Sequence, residues 1–75
     1  MTNALKTITL EFEAELLSGV RSGADEAELA KIRDRAFDRL REVKEGPSPP
    51  CLDSIFDVAG EIGRKLDMAL ETTRA

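Results

Sequence analysis

The stretch EGPSPPCLD, residues 45–53, contains all three prolines and the only cysteine of the chain. Proline lacks a backbone N–H and restricts the residue before it, so a helix cannot run through this stretch. Gly46 predicts a left-handed helix end, and Ser48 predicts an N-cap with Pro49 and Pro50 in the first helical turn. We therefore predict a stiff elbow over 46–50 that folds two helices into an antiparallel hairpin.

The segment before the elbow has the start signal and the spacing of a helix. Asp25 and Glu28 fit a capping box, in which an N-cap side chain accepts from the backbone three residues later. Apolar residues then recur at helical intervals. They are Leu29, Ile32, Ala36, Phe37, Leu40 and Val43. This pattern predicts a helix over about 25–45.

The segment after the elbow predicts a third helix, over about 49–72. Its apolar residues fall on one face at helical spacing. Gly63 within that face indicates either close approach of a neighbouring helix or a glycine that the helix tolerates without such a contact. The residues of this face are Leu52, Ile55, Phe56, Ala59, Ile62, Leu66, Ala69 and Leu70. The two helices together predict a core. It consists of Leu29, Ile32, Phe37, Leu40, Ile55, Phe56, Ile62 and Leu66.

The first segment is consistent with two structures. KTITLEFE, residues 6–13, alternates apolar and polar residues as a strand does. The same region also carries a helical stripe formed by Leu5, Ile8, Phe12, Leu16 and Val20. We favour a helix that begins near residue 3 or 9 and ends near 21, because a lone strand would need a partner strand from another chain. The expected fold is all-α, with one three-helix domain over residues 1–75.

Composition limits both stability and function. A chain of 75 residues buries a small core, and one cysteine with no histidine provides neither an internal disulfide nor a transition-metal site. Self-association and an unusually well-packed helical core are the remaining means of stabilisation. The net charge of −4 disfavours binding to nucleic acid or to an anionic membrane. No apolar run is long enough to span a membrane and no signal peptide is evident, so we expect a cytoplasmic protein.

The chain lacks the residues of most catalytic sites. It has no histidine to act as a general base, no glycine-rich phosphate loop and no cysteine pair. We predict that it is not an enzyme and binds no cofactor or metal. Cys51 lies at a predicted helix N-terminus, where the pKa of a thiol can be lowered. No basic residue lies within four positions of it, so we interpret Cys51 as a small buried residue at the end of the bundle.

The charge pattern of the second helix and the wide apolar face of the third predict interaction surfaces. Lys31, Arg35 and Arg39 line one flank of the second helix, and Arg33, Arg41 and Lys44 line the other. Glu11, Glu13 and Glu15 are their expected partners, within the chain or across a dimer; an acidic protein partner is the alternative. The apolar arc of the third helix covers roughly 160°, more than one neighbouring helix covers. The candidate interaction residues are Lys31, Arg33, Arg35, Arg39, Arg41, Val58, Ile62 and Ala69.

These features predict a non-catalytic helical module that acts by binding another protein and forms a homodimer. A second hypothesis comes from ITLEF, EAELLSGVRSG and AELAKIRDRAFDRL, over 8–40, whose order resembles a ribbon-helix-helix protein. The resemblance covers about the first 45 residues. It implies a DNA-binding repressor or antitoxin in which residues 6–13 of two chains pair as strands. Thr7, Thr9 and Glu11 would then enter the major groove, where glutamate can accept from cytosine.

Overall fold

A computed structural model of the chain describes residues 4–74. These residues form three helices, α1 (Ala4–Arg21), α2 (Glu26–Glu45) and α3 (Leu52–Arg74), and contain no strand. Each helix packs against both of the others. The dimensions of 41 × 19 × 18 Å are those of rods packed side by side, since α3 alone is about 35 Å long. The prediction of an all-α, three-helix fold is confirmed.

The ambiguous first segment is a helix. Residues 6–13 lie inside α1, and the helical stripe rather than the alternating pattern forms the core: Leu5, Ile8, Phe12 and Leu16 are buried. Thr9 fits the helix because its hydroxyl donates to the carbonyl oxygen of Leu5 at 3.0 Å. The strand that the ribbon-helix-helix resemblance implies is therefore absent from residues 4–74. The predicted start at residue 3 lies outside the described residues.

Glycine and aspartate set the turn between α1 and α2. Gly23 has a φ of 79°, a conformation that costs little only for glycine. The N–H of Ala24 donates to the carbonyl of Gly19 at 2.9 Å, and that of Gly23 to the carbonyl of Val20 at 3.2 Å, the two bonds of a Schellman motif. Asp25 is the N-cap of α2, and its carboxylate accepts from the N–H of Glu28 at 2.9 Å. The predicted N-cap of α2 is confirmed.

The elbow between α2 and α3 differs from the prediction at both ends. Gly46 ends α2 with a φ of −74°, so it is not left-handed, and α3 begins at Leu52 rather than at 49. A proline disfavours the helical conformation in the residue before it, so Pro50 keeps Pro49 out of the helix. The carbonyl of Cys51 accepts from the N–H of Ile55 at 3.2 Å. Cys51, and not Ser48, therefore occupies the N-cap position of α3.

The core lies along the common axis of the three helices. Six of the eight predicted core residues are buried, namely Leu29, Ile32, Leu40, Ile55, Ile62 and Leu66. Phe37 is half-buried and packs against them. Phe56 is 64% exposed, so its placement in the core was wrong. It follows Ile55 by about 100° around α3, and a helix in a small bundle buries an arc of about that width.

Glycines mark one close contact between helices, and it is not the predicted one. A Cβ added to Gly19 would lie 3.1 Å from Cδ2 of Leu29 and 3.3 Å from Cδ1 of Ile32. Gly19 therefore lets α1 approach α2 at this level. Gly63, which the sequence suggested for such a contact, has no described atom within 4 Å of the same position, nor has Gly60. Both glycines of α3 border open space.

Candidate functional site

One basic flank of α2 is neutralised by acids of α1. Arg35 pairs with Glu15 at 3.1 Å, and Arg39 pairs with Glu11 and reaches Glu15 at 4.0 Å. Exposed ion pairs of this kind each contribute about 0–1 kcal/mol to stability. Their order shows that α1 and α2 run antiparallel. Two of the acids that the sequence suggested as partners are thus engaged within the chain.

The third acid of α1 pairs with α3. Glu13 contacts Lys65, and Lys65 also lies 3.4 Å from Glu61, one turn earlier in α3. The sequence analysis did not single out Lys65. The sequence feature that could have identified Lys65 is its position at the edge of the apolar arc of α3, level with Glu13 if both segments are helices. This pair occupies the middle of the contact between α1 and α3.

The other basic flank of α2 has no such partners. Arg33 pairs with its neighbour Asp34 at 3.1 Å, which leaves both side chains on α2. Arg41 and Lys44 are exposed and form no ion pair with any residue that the structure describes. Lys31, predicted to lie with Arg35 and Arg39, is also exposed and lacks an ion pair within residues 4–73. The two flanks of α2 are therefore electrostatically different.

The apolar candidates are only partly at the surface. Val58 and Ala69 are half-buried on the side of α3 that faces α1, whereas Ile62 is 1% exposed and belongs to the core. The large apolar side chains at the surface are others, and helical periodicity places them beside the core stripes rather than on them. They are Leu10, Leu17, Leu52, Phe56 and Met68.

These exposed apolar residues lie on two surfaces of the bundle. The first is the α1–α3 face, defined by Leu10, Leu17, Val58 and Met68. Leu17 and Met68 flank a groove of about 440 Å³ that Leu16, Val20 and Ala69 also line. Leu10 and Val58 line a second depression beyond the Glu13–Lys65 pair.

The second surface is the α2–α3 face, on the far side of both helices from α1. At 100° per residue, its members fall within an arc of about 80° on each helix. On α2 they are Arg33, Phe37, Arg41 and Lys44, and on α3 they are Leu52, Phe56, Gly60 and Gly63. This surface combines two basic groups without an ion pair among the described residues, Arg41 and Lys44, with two exposed apolar side chains, Leu52 and Phe56.

Cys51 is exposed rather than buried at the end of the bundle. Its Sγ lies 3.3 Å from the hydroxyl oxygen of Ser54. That hydrogen bond, and then the backbone N–H of Ser54, lower the pKa of the thiol below its ordinary value, with a smaller contribution from the N–H of Asp53. The negative charge of Asp57 acts in the opposite direction. The interpretation of Cys51 as a buried residue was wrong.

We expect alkylation of Cys51 by iodoacetamide to show a midpoint below the pH of about 8.5 that is usual for a cysteine thiol. Only the thiolate reacts, and donors at the N-terminus of α3 stabilise it. Ser54→Ala removes the hydroxyl donor, so it should move the midpoint upward. The rate of modification against pH, followed by mass spectrometry, measures both. Equal midpoints in the two proteins would contradict this role of Ser54.

Within residues 4–74, no three His, Cys, Asp or Glu side chains are placed to hold a metal ion. None of the three helices is long and apolar enough to cross a bilayer. Comparison of the chain with protein-family models, with curated proteins and with solved structures finds no match.

Proposed function

We propose that this chain is a non-catalytic helical module that acts by binding other proteins. One observation carries the proposal: large apolar side chains are more than half exposed side by side on two faces of the bundle, Leu17 and Met68 on one and Leu52 and Phe56 on the other. Contiguous exposed apolar surface on a small domain usually marks an interaction site. The chain has no histidine, so a general base that titrates near neutral pH would need a strongly perturbed group of another type.

We infer that α2 and α3 form an antiparallel hairpin around the elbow. Gly23, Asp25 and Glu26, at the start of α2, line one depression together with Leu70 and Thr73, near the end of α3. Residues 46–51 then join the opposite ends of the two helices. In this arrangement Arg41 lies level with Phe56, and Phe37 lies level with Gly60.

We further propose that two copies associate through the α1–α3 face. Leu17 and Met68 flank its groove, and their side chains are more than half exposed. A two-fold axis would bring two identical grooves together and bury both of these side chains in each copy. Val58 and Ala69, the predicted interaction residues of α3, lie at the rim and floor of the same face.

Light scattering after size-exclusion chromatography tests this dimer. We expect the wild-type protein at high micromolar concentration to have twice the chain mass of 8.2 kDa. Met68→Lys should give the monomer mass, because it places a charge in the apolar contact. Ser18→Lys is the matched control: it adds the same charge at an exposed position about 100° around α1 from Leu17 and outside the groove, so the dimer should persist.

A wild-type protein that elutes as a monomer under these conditions would refute the dimer. If Met68→Lys and Ser18→Lys both remained dimeric, the copies would associate through a surface other than the α1–α3 face. Circular dichroism of each variant, compared with the wild type, confirms that a change in mass does not come from unfolding.

A further inference from the structure

We propose that the α2–α3 face binds an amphipathic helix of another protein whose apolar stripe is edged by acidic residues. The inference rests on the proposed function, since it names the partner of an interaction module. It uses a different surface from the dimer contact, so the two can be tested separately.

Charge complementarity supports an acidic partner. The chain as a whole carries −4, yet the α2 side of this face presents Arg33, Arg41 and Lys44. The basic residues at the other helix contacts are neutralised by α1: Arg35 and Arg39 pair with Glu15 and Glu11. Arg41 and Lys44 have no ion pair among the described residues, so both are free to pair with a partner's carboxylates. A glutamate-edged helix would supply the missing partners.

Shape and apolar area support a helix as the bound element. Phe56 stands exposed beside Gly60 and Gly63, where an added Cβ would meet no described atom within 4 Å. Because the two glycines carry no side chains, we infer a shallow furrow between Phe56 and the half-buried Phe37, which the antiparallel register places level with Gly60. Residues 33 to 44 extend for about 17 Å along α2, or about three turns of a bound helix. Anchors at i, i+3 and i+7 would contact the furrow along this length.

A second copy of this chain is the less favoured occupant. The acids of α1, which the sequence suggested as partners across a dimer, are paired within the chain: Glu11 with Arg39, Glu13 with Lys65 and Glu15 with Arg35. The exposed apolar residues of α1, Leu10 and Leu17, lie on the α1–α3 face. An external acidic helix satisfies the basic groups without breaking those pairs.

The probe is a synthetic helical peptide of about eighteen residues, with leucine and phenylalanine along one stripe and glutamate at both edges. A second peptide carries lysine in place of every glutamate. Each is titrated into the isotopically labelled full chain, and amide shifts are followed by NMR. We expect the acidic peptide alone to bind, with the largest shifts at Arg41, Lys44, Phe56, Gly60 and Gly63.

Two variants with the same change in charge test the assignment. Arg41→Glu should weaken binding of the acidic peptide by about tenfold, because it places like charges together at the contact. Lys31→Glu alters the net charge equally on the other side of α2 and should leave the affinity within about twofold. Both residues are exposed and lack ion pairs among the described residues, so neither change removes a contact of the fold.

Several outcomes would overturn the proposal. These are no binding of the acidic peptide at millimolar concentration, equal binding of the lysine peptide, equal losses in the two variants, or shifts centred on Leu17 and Met68. A fall in molecular mass for Arg41→Glu alone would assign the face to a second copy instead. A wild-type dimer with no peptide binding would leave the proposed function standing and refute only the acidic partner.

Discussion

Phe12→Ala should lower the free energy of unfolding by about 3–5 kcal/mol, whereas Phe56→Ala should change it by less than about 0.5 kcal/mol. The two substitutions remove the same atoms from the interior of a helix. Phe12 is 2% exposed and belongs to the group of side chains that joins all three helices, so its loss leaves a cavity. Phe56 projects from the surface, and its removal leaves none.

Urea unfolding followed by circular dichroism measures both differences at a fixed protein concentration. A domain of this size has only a few kcal/mol of stability, so Phe12→Ala should be largely unfolded without denaturant. If Phe12→Ala is too unfolded for its free energy of unfolding to be measured, Leu16→Val, a milder change in the same core, provides the value to compare with Phe56→Ala. A large loss for Phe56→Ala would contradict the exposed position of its side chain, unless the loss disappears on dilution and so reports an intermolecular contact.

The sequence predicted all three helices, with the strongest local signals in α2; for residues 6–13 the choice of helix over strand rested on the lack of a partner strand. Asp25 and Glu28 marked the start of α2, and its apolar spacing identified Leu29, Ile32 and Leu40 as core residues. Phe56 was misplaced because periodicity gives the width of an apolar arc but not how much of it the neighbouring helices cover. The start of α3 was misplaced because the position of Ser48 suggested a cap, whereas Pro50 keeps Pro49 out of the helix.

The surfaces were less predictable than the fold. The sequence identified Arg35 and Arg39 as members of a basic flank, but only the packing of α1 against α2 shows that Glu15 and Glu11 neutralise them. Arg41 belongs to a flank with the same composition and stays unpaired. The difference depends on which helix lies beside each flank. Residue spacing along one helix carries no information on that point.

Gly19→Leu should destabilise the protein by about 1–3 kcal/mol, since it forces extra atoms between packed helices. A Cβ at position 19 already approaches Leu29 and Ile32 within 3.1 and 3.3 Å, and a leucine would have to displace α2. Gly60→Leu should instead stabilise α3 by about 0.5–1 kcal/mol, because glycine is a poor helix residue and the added side chain enters open space.

The same pair of variants links stability to binding. Gly60→Leu should raise the melting temperature because it removes a glycine from the helix. It should also weaken binding of the acidic helical peptide, because its side chain fills the furrow beside Phe56. A glycine that costs helix stability yet contacts nothing in the fold is explained if a partner approaches there. Thermal unfolding and peptide titration of Gly60→Leu measure the two effects. Unchanged peptide affinity in a stabilised Gly60→Leu protein would show that the bound helix does not enter the furrow, and that glycine at position 60 serves no contact with it.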